Sequence, residues 1–211
     1  MICLGLDLGQ RQDHSALAIV EQRVKVTSRM DYEKWRQTQE VEAEPLVVRH
    51  LERMDLGTQY FAVAQRVKEV VERPGLAGRK ILAIDATGVG MPVVEMLARA
   101  RMGCELRPVV MTGGMGQSTD GVMWHVAKLD LMAGLREALE RGELKFAGEV
   151  AEGERLVEEM MSVTVGIRKS GRERVGADGC GEHDDLVIAV ALACWAARLG
   201  KPREPAGRLF W

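Results

Sequence analysis

Residues Leu186 to Ala197 are apolar without exception, and they follow directly on the acidic pair Asp184-Asp185. A helix that is hydrophobic all round has to be covered on every side. The run is well short of the roughly 20 residues that a membrane-spanning helix needs, so it asks for a protein core wide enough to enclose it, and no membrane is expected. At 211 residues one sizeable α/β domain supplies such a core, whereas two domains with separate cores would be cramped. Hydrophobic residues make up 46% and charged residues 28%, which excludes a disordered chain. Aromatics reach only 4% against 12 Met and 23 Gly, so the core is mainly aliphatic.

The remaining pattern predicts strands first and helices later. Ile2 to Leu8, Ala16 to Val20 and Val24 to Met30 read as three successive strands with tight connections, an antiparallel meander. Asp31 to Glu44 is a polar excursion, followed by an extended piece from Leu46 to Leu51. Phe61, Ala64, Val67, Val70 and Val71 lie at helical spacing until Pro74-Gly75 ends the run. Lys80 to Ala86 and Leu106 to Met111 are short apolar strands of the doubly buried kind, separated by a helix from about Pro92 to Met102. A Gly-rich loop, Thr112 to Gly121, leads to a helix marked by Val126, Leu129, Met132, Leu135 and Leu139. Glu149 to Met161 predicts another helix, Ser162 to Arg168 a strand, and Lys169 to Arg174 a basic turn before the final helix. We expect one domain over residues 1–200 and a tail over 201–211 that carries two prolines.

The cysteines, Cys3, Cys104, Cys180 and Cys194, show no paired spacing. They point to a reducing, cytoplasmic setting rather than a disulfide framework. The N-terminus runs straight into a strand, so no secretory leader is expected. A net charge of −2 provides no global positive field, and any contact with nucleic acid has to be local.

Three acidic positions stand where apolar elements give way: Asp7 after Leu4-Gly5-Leu6, Asp85 after Ile81-Leu82-Ala83-Ile84, and the Asp184-Asp185 pair. A buried carboxylate is costly unless it is paired or bound to a cation. Each also has a plain structural reading. Asp184 or Asp185 can cap a helix, and Asp85 can close the Thr87-Gly88 turn. Asp7 is the hardest to place, because strands disfavour Asp. If the three converge, a divalent cation resolves their repulsion, and an all-oxygen set favours Mg²⁺ or Mn²⁺ over zinc.

The segments DLGQRQDHSALAIV from Asp7, ILAIDATGVGMPVVEML from Ile81 and GEHDDLVIAVALA from Gly181 resemble the nuclease domain of bacteriophage terminase large subunits. VVRHLERMDLGTQY and KLDLMAGLREALERGELKF are similar to the same family, in the same order along nearly the whole chain. The resemblance implies an RNase H-like α/β fold: a mixed five-stranded sheet, an antiparallel meander and then parallel strands, flanked by helices. It implies a DNA endonuclease that cuts concatemeric viral double-stranded DNA during packaging, with two Mg²⁺ or Mn²⁺ ions held by Asp7, Asp85, Asp184 and Asp185. Asp7 would bridge the ions. Register favours Asp185 over Asp184, and Ile188 stands where some relatives have a further acid. Asp13 and His183 are auxiliary candidates. A packaging ATPase domain or subunit, a phage portal and small terminase components would be the partners, in the bacterial host cytoplasm.

Lys128, Arg168, Lys169, Arg172 and Arg174 are the candidate DNA contacts, the last four clustered on the hairpin around the basic turn. Such a turn is otherwise a solvated surface, and Lys128 could face either the DNA or the acids. The sequence contains no GxxxxGK[ST] phosphate loop. Asp7-Leu8-Gly9 and Asp85-Ala86-Thr87-Gly88 superficially fit an actin-like or sugar-kinase phosphotransferase, but that class builds its site from two such domains. A RuvC-like junction resolvase keeps the chemistry with another substrate, and a non-catalytic RNase H-like docking module keeps only the fold.

Overall fold

The computed structural model of the chain describes residues 1–9, 13–31, 36–88, 90–167, 173–177 and 183–200. Its strands are β1 (Ile2–Asp7), β2 (Ala16–Glu21), β3 (Val24–Asp31), β4 (Arg36–Ala43), β5 (Leu46–Arg53), β6 (Lys80–Asp85), β7 (Glu105–Thr112), β8 (Gln117–Thr119), β9 (Trp124–Ala127), β10 (Leu144–Phe146), β11 (Val163–Ile167) and β12 (Glu173–Ala177). Its helices are α1 (Tyr60–Val71), α2 (Gly90–Arg99), α3 (Lys128–Glu140), α4 (Gly153–Ser162) and α5 (Asp185–Gly200).

The main sheet has the order β10-β5-β2-β1-β6-β7-β9-β8. Its five long strands, β5-β2-β1-β6-β7, are antiparallel across β5-β2-β1 and parallel across β1-β6-β7. The short strands β10, β9 and β8 widen the expected five to eight. β1 is buried along its whole length, which is why its sequence is a continuous apolar run.

Strand parity divides the core into two layers. Leu4, Leu6, Leu82 and Ile84 face α1 and α2, with Val63, Val67, Val70, Val93 and Leu97 packed on them. Cys3, Ile81 and Ala83 face the other way, toward α3, α4 and α5. The all-apolar stretch of α5 is enclosed throughout, from Leu186 to Ala197. Gly5 permits this close approach: a Cβ there would collide with the Ala189 carbonyl and stand 2.8 Å from the Ala193 amide of α5. No described helix is long and apolar enough to cross a membrane.

Three sequence expectations are corrected. Val24–Met30 is not the third strand of the sheet. β3 pairs with β4 in a separate two-stranded ribbon, and β5 takes the place beside β2. The physical reason is burial: β5 seats Leu46, Val48 and Leu51 in the core, whereas Val24 and Val26 of β3 remain more than half exposed. The helix expected from Val126 begins at Lys128, because Trp124–Ala127 forms β9 against β7 and β8. Within the Gly-rich segment, Gln117–Thr119 is a strand, and the Gln117 side-chain oxygen accepts a hydrogen bond of 2.9 Å from the Trp195 indole. The tail, residues 201–211, and most of the basic turn lie outside the described residues.

Candidate active site

Asp7 and Asp85 end neighbouring parallel strands in matched register. The last pair of that ladder is Leu6 with Ile84, so the next residues of both strands are the two acids. Their carboxyls stand near enough for each to act on the charge of the other. By parity with Cys3, Ile81 and Ala83 they lie on the face covered by α5. That helix runs antiparallel to β1, since Gly200 meets the Met1 side chain while Ala189 lies over Gly5. Its N-terminal end, carrying Asp184 and Asp185, is therefore brought to the same sheet edge. This is the carboxyl edge of the parallel strands, where open α/β sheets form their ligand sites.

Asp7, Asp85 and Asp185 are 9%, 8% and 4% exposed. Burial, and then the neighbouring Asp85, Asp185 and Asp184 carboxylates, push Asp7 well above the usual carboxylate range, with Lys128 pulling the other way. Burial also raises Asp85, against the Thr87 hydroxyl and amide. The Thr87 amide donates to Asp85 Oδ1 at 2.8 Å, and the Met111 amide donates to Thr87 Oγ1 at 2.8 Å. The Asx-type turn expected at Asp85 thus coexists with its place beside Asp7. Two buried carboxylates side by side repel, and a cation between them would offset that repulsion.

The two acids at the start of α5 have different neighbours. Lys128 Nζ, from the first residue of α3, donates to Asp184 Oδ2 at 2.7 Å. Lys128 therefore faces the acids. Asp185 is raised by burial, while His183 and Arg53 counter that effect and Asp13 and Asp184 reinforce it. Asp185 Oδ2 stands 3.7 Å from His183 Nδ1 and 3.8 Å from Arg53 Nε. The His183 ring lies edge-on to His14, with centroids 5.4 Å apart. Asp13 is exposed. Among the described residues, no three His, Cys, Asp or Glu side chains already stand in ligand geometry around one point. Arg168, Lys169 and Arg172 lie outside the described residues, and Arg174 is paired with Gly166 in the β11-β12 hairpin.

Two residues at this edge were not singled out from the sequence. Glu159 of α4 is 6% exposed, and its Oε2 accepts the amides of Leu186 at 2.9 Å and Val187 at 3.3 Å. Burial pushes its pKa up to about 7 against those two amides. Arg53 ends β5, and its guanidinium lies between Glu159 and Asp185. Both had a periodic signal. Glu159 follows buried Leu156 at helical spacing, and Arg53 follows buried Leu51 on the same side of its strand.

No protein-family model matches the chain, and no curated protein matches it. Solved structures do. The large terminase nuclease from thermophilic phage G20c with bound magnesium is 22% identical, with a TM-score of 0.60 over 92% of this chain and 80% of that one. The large terminase nuclease domain of Thermus phage P74-26 is 20% identical, with a TM-score of 0.56 over 92% of this chain and 77% of that one. The human cytomegalovirus terminase nuclease domain, soaked with manganese and bound to an inhibitor, is 12% identical, with a TM-score of 0.54 over 93% and 82%. At such identities the common property is architecture: the chain has the RNase H-like fold of large terminase nuclease domains.

Proposed function

We propose that the chain is a divalent-metal-dependent DNA endonuclease of terminase large subunit type. The observation that carries this reading is the placement of Asp7 and Asp85 side by side at the ends of β1 and β6, with Asp184 and Asp185 brought near them by α5. The donor set consists of carboxylate oxygens, which suit Mg²⁺ or Mn²⁺. Asp185 Oδ2 is a buried acceptor with no hydrogen-bond partner among the described residues, and coordination to a cation at this edge would satisfy it.

In this reading Asp7, Asp85 and the α5 acids Asp184 and Asp185 would hold the ions. The chemistry such ions would supply is activation of a water and neutralisation of charge on the scissile phosphodiester. The protein's own contribution is to keep the acids desolvated and fixed on rigid strands. Thr87 holds the Asp85 carboxylate by one oxygen, so its other oxygen can turn to the cation. Lys128 supplies an ammonium placed to balance these carboxylates, and it is held there by its bond to Asp184. The substrate in this proposal is viral double-stranded DNA, with a packaging ATPase, portal and small terminase components as partners. The nuclease unit would span residues 1–200.

The test is incubation of the purified chain with supercoiled plasmid. Nicking and linearisation are expected with Mn²⁺ or Mg²⁺ and not with EDTA. Plasmid left intact by both metals, or cleavage that persists in EDTA, would overturn the proposal. Because the acids must be ionised to bind metal, cleavage is also expected to fall as the pH is lowered.

A further inference from the structure

Three buried polar atoms between β5, α4 and α5 have no hydrogen-bond partner among the described residues: Arg53 Nε, Glu159 Oε1 and Asp185 Oδ2. Arg53 Nη1 is 3.7 Å from Glu159 Oε1, and Arg53 Nε is 3.8 Å from Asp185 Oδ2. The guanidinium is thus suspended between two carboxylates, close enough for both charges to act and too far for a hydrogen bond to either. Buried groups of this kind ordinarily pair, and an Arg–carboxylate pair would normally close to bidentate contact.

What holds the arrangement open is the fixed position of Glu159. Its Oε2 caps the first amides of α5, a task usually done by a side chain at the helix's own start. The local candidate, Asp184, is engaged with Lys128. Because Glu159 comes from α4, α5 can begin on Asp185 without spending that carboxylate on its own cap.

We propose that Glu159 and Arg53 are positioning residues for Asp185: the anchored Glu159 carboxylate draws the Arg53 guanidinium back and leaves the Asp185 carboxylate open to a divalent cation. The inference rests on the metal-site reading above and adds a control on it. Without the counter-pull, Arg53 closes on Asp185 and competes with the ion for the same oxygen. His183, at 3.7 Å from that oxygen, remains in either arrangement and does not replace Glu159.

The test is calorimetric titration of Mn²⁺ into the full chain, with thermal denaturation alongside. Glu159→Gln keeps an oxygen to accept the Leu186 and Val187 amides but has no charge to attract Arg53. It is expected to weaken Mn²⁺ binding about tenfold, the size usual for residues that orient a metal ligand, with Tm little changed. Glu159→Gln combined with Arg53→Gln is expected to return the affinity to within about twofold of wild type, because coupled neighbours are not additive. A purely structural role would lower Tm and leave the Mn²⁺ affinity in place. Glu159→Gln with wild-type affinity, or a double variant as weak as the single one, overturns this inference while the metal site stands. Wild-type protein that takes up no Mn²⁺ overturns the metal site itself, and this inference with it.

Discussion

Asp7→Asn is expected to abolish cleavage and at the same time to make the metal-free protein more stable. The loss of activity should be on the order of a thousandfold or more, equivalent to about 4 kcal/mol of transition-state stabilisation. The gain in stability follows from the same geometry. Asp7 is buried among Asp85, Asp184 and Asp185, and its folded pKa lies well above that of an unfolded Asp. A group raised in this way stabilises the fold below the unfolded carboxylate pKa, and that contribution is lost as pH rises through the folded value. The neutral amide removes the penalty. At pH 8 without metal, Asp7→Asn is expected to gain about 1 to 2 kcal/mol, or roughly 3 to 6 °C in Tm. The difference from wild type should shrink toward pH 5. Melting curves with EDTA and plasmid cleavage with Mn²⁺ measure the two effects. A variant that cleaves normally, or one that melts well below wild type at pH 8, would contradict the account.

The second large effect is expected far from any charge. Gly5 lies in the middle of β1, a position where glycine normally weakens a strand. Here the Ala189 carbonyl of α5 occupies the place of a side chain, and the nearest obstacles are backbone atoms that no rotamer change can move. Gly5→Val is expected to lift α5 from the sheet and cost about 3 kcal/mol or more, lowering Tm by roughly 6 to 12 °C. The same displacement carries Asp184 and Asp185 away from Asp7, so cleavage should fall with stability. Chemical denaturation followed by circular dichroism tests this. A variant as stable as wild type would mean that α5 does not rest on Gly5.

These two cases also show what the sequence discloses. Burial on both faces of a strand, or on every face of a helix, removes polar residues altogether, so β1, β6 and α5 were legible as continuous apolar runs. Acids at their ends therefore stood out. Alternation alone was less informative. Val24 and Val26 have the pattern of a sheet strand, yet β3 leaves the sheet for an exposed ribbon, because partner choice depends on residues distant in sequence. Val126 fitted the period of the helix that follows it, and its membership of β9 is set by β7 and β8. Glu159 and Arg53 are typical surface residues by composition. Only the packing of α4 and β5 against the start of α5 gives them buried roles.

The central claim is that Asp7 and Asp85, with the acids of α5, form a site for divalent ions. Anomalous diffraction from crystals of the wild-type protein soaked in Mn²⁺ tests it most directly. The account predicts manganese density against the Asp7 and Asp85 carboxylates, with further density toward Asp185, and none in crystals of Asp7→Asn. Manganese absent from this edge in the wild type, or unchanged in the variant, would contradict it.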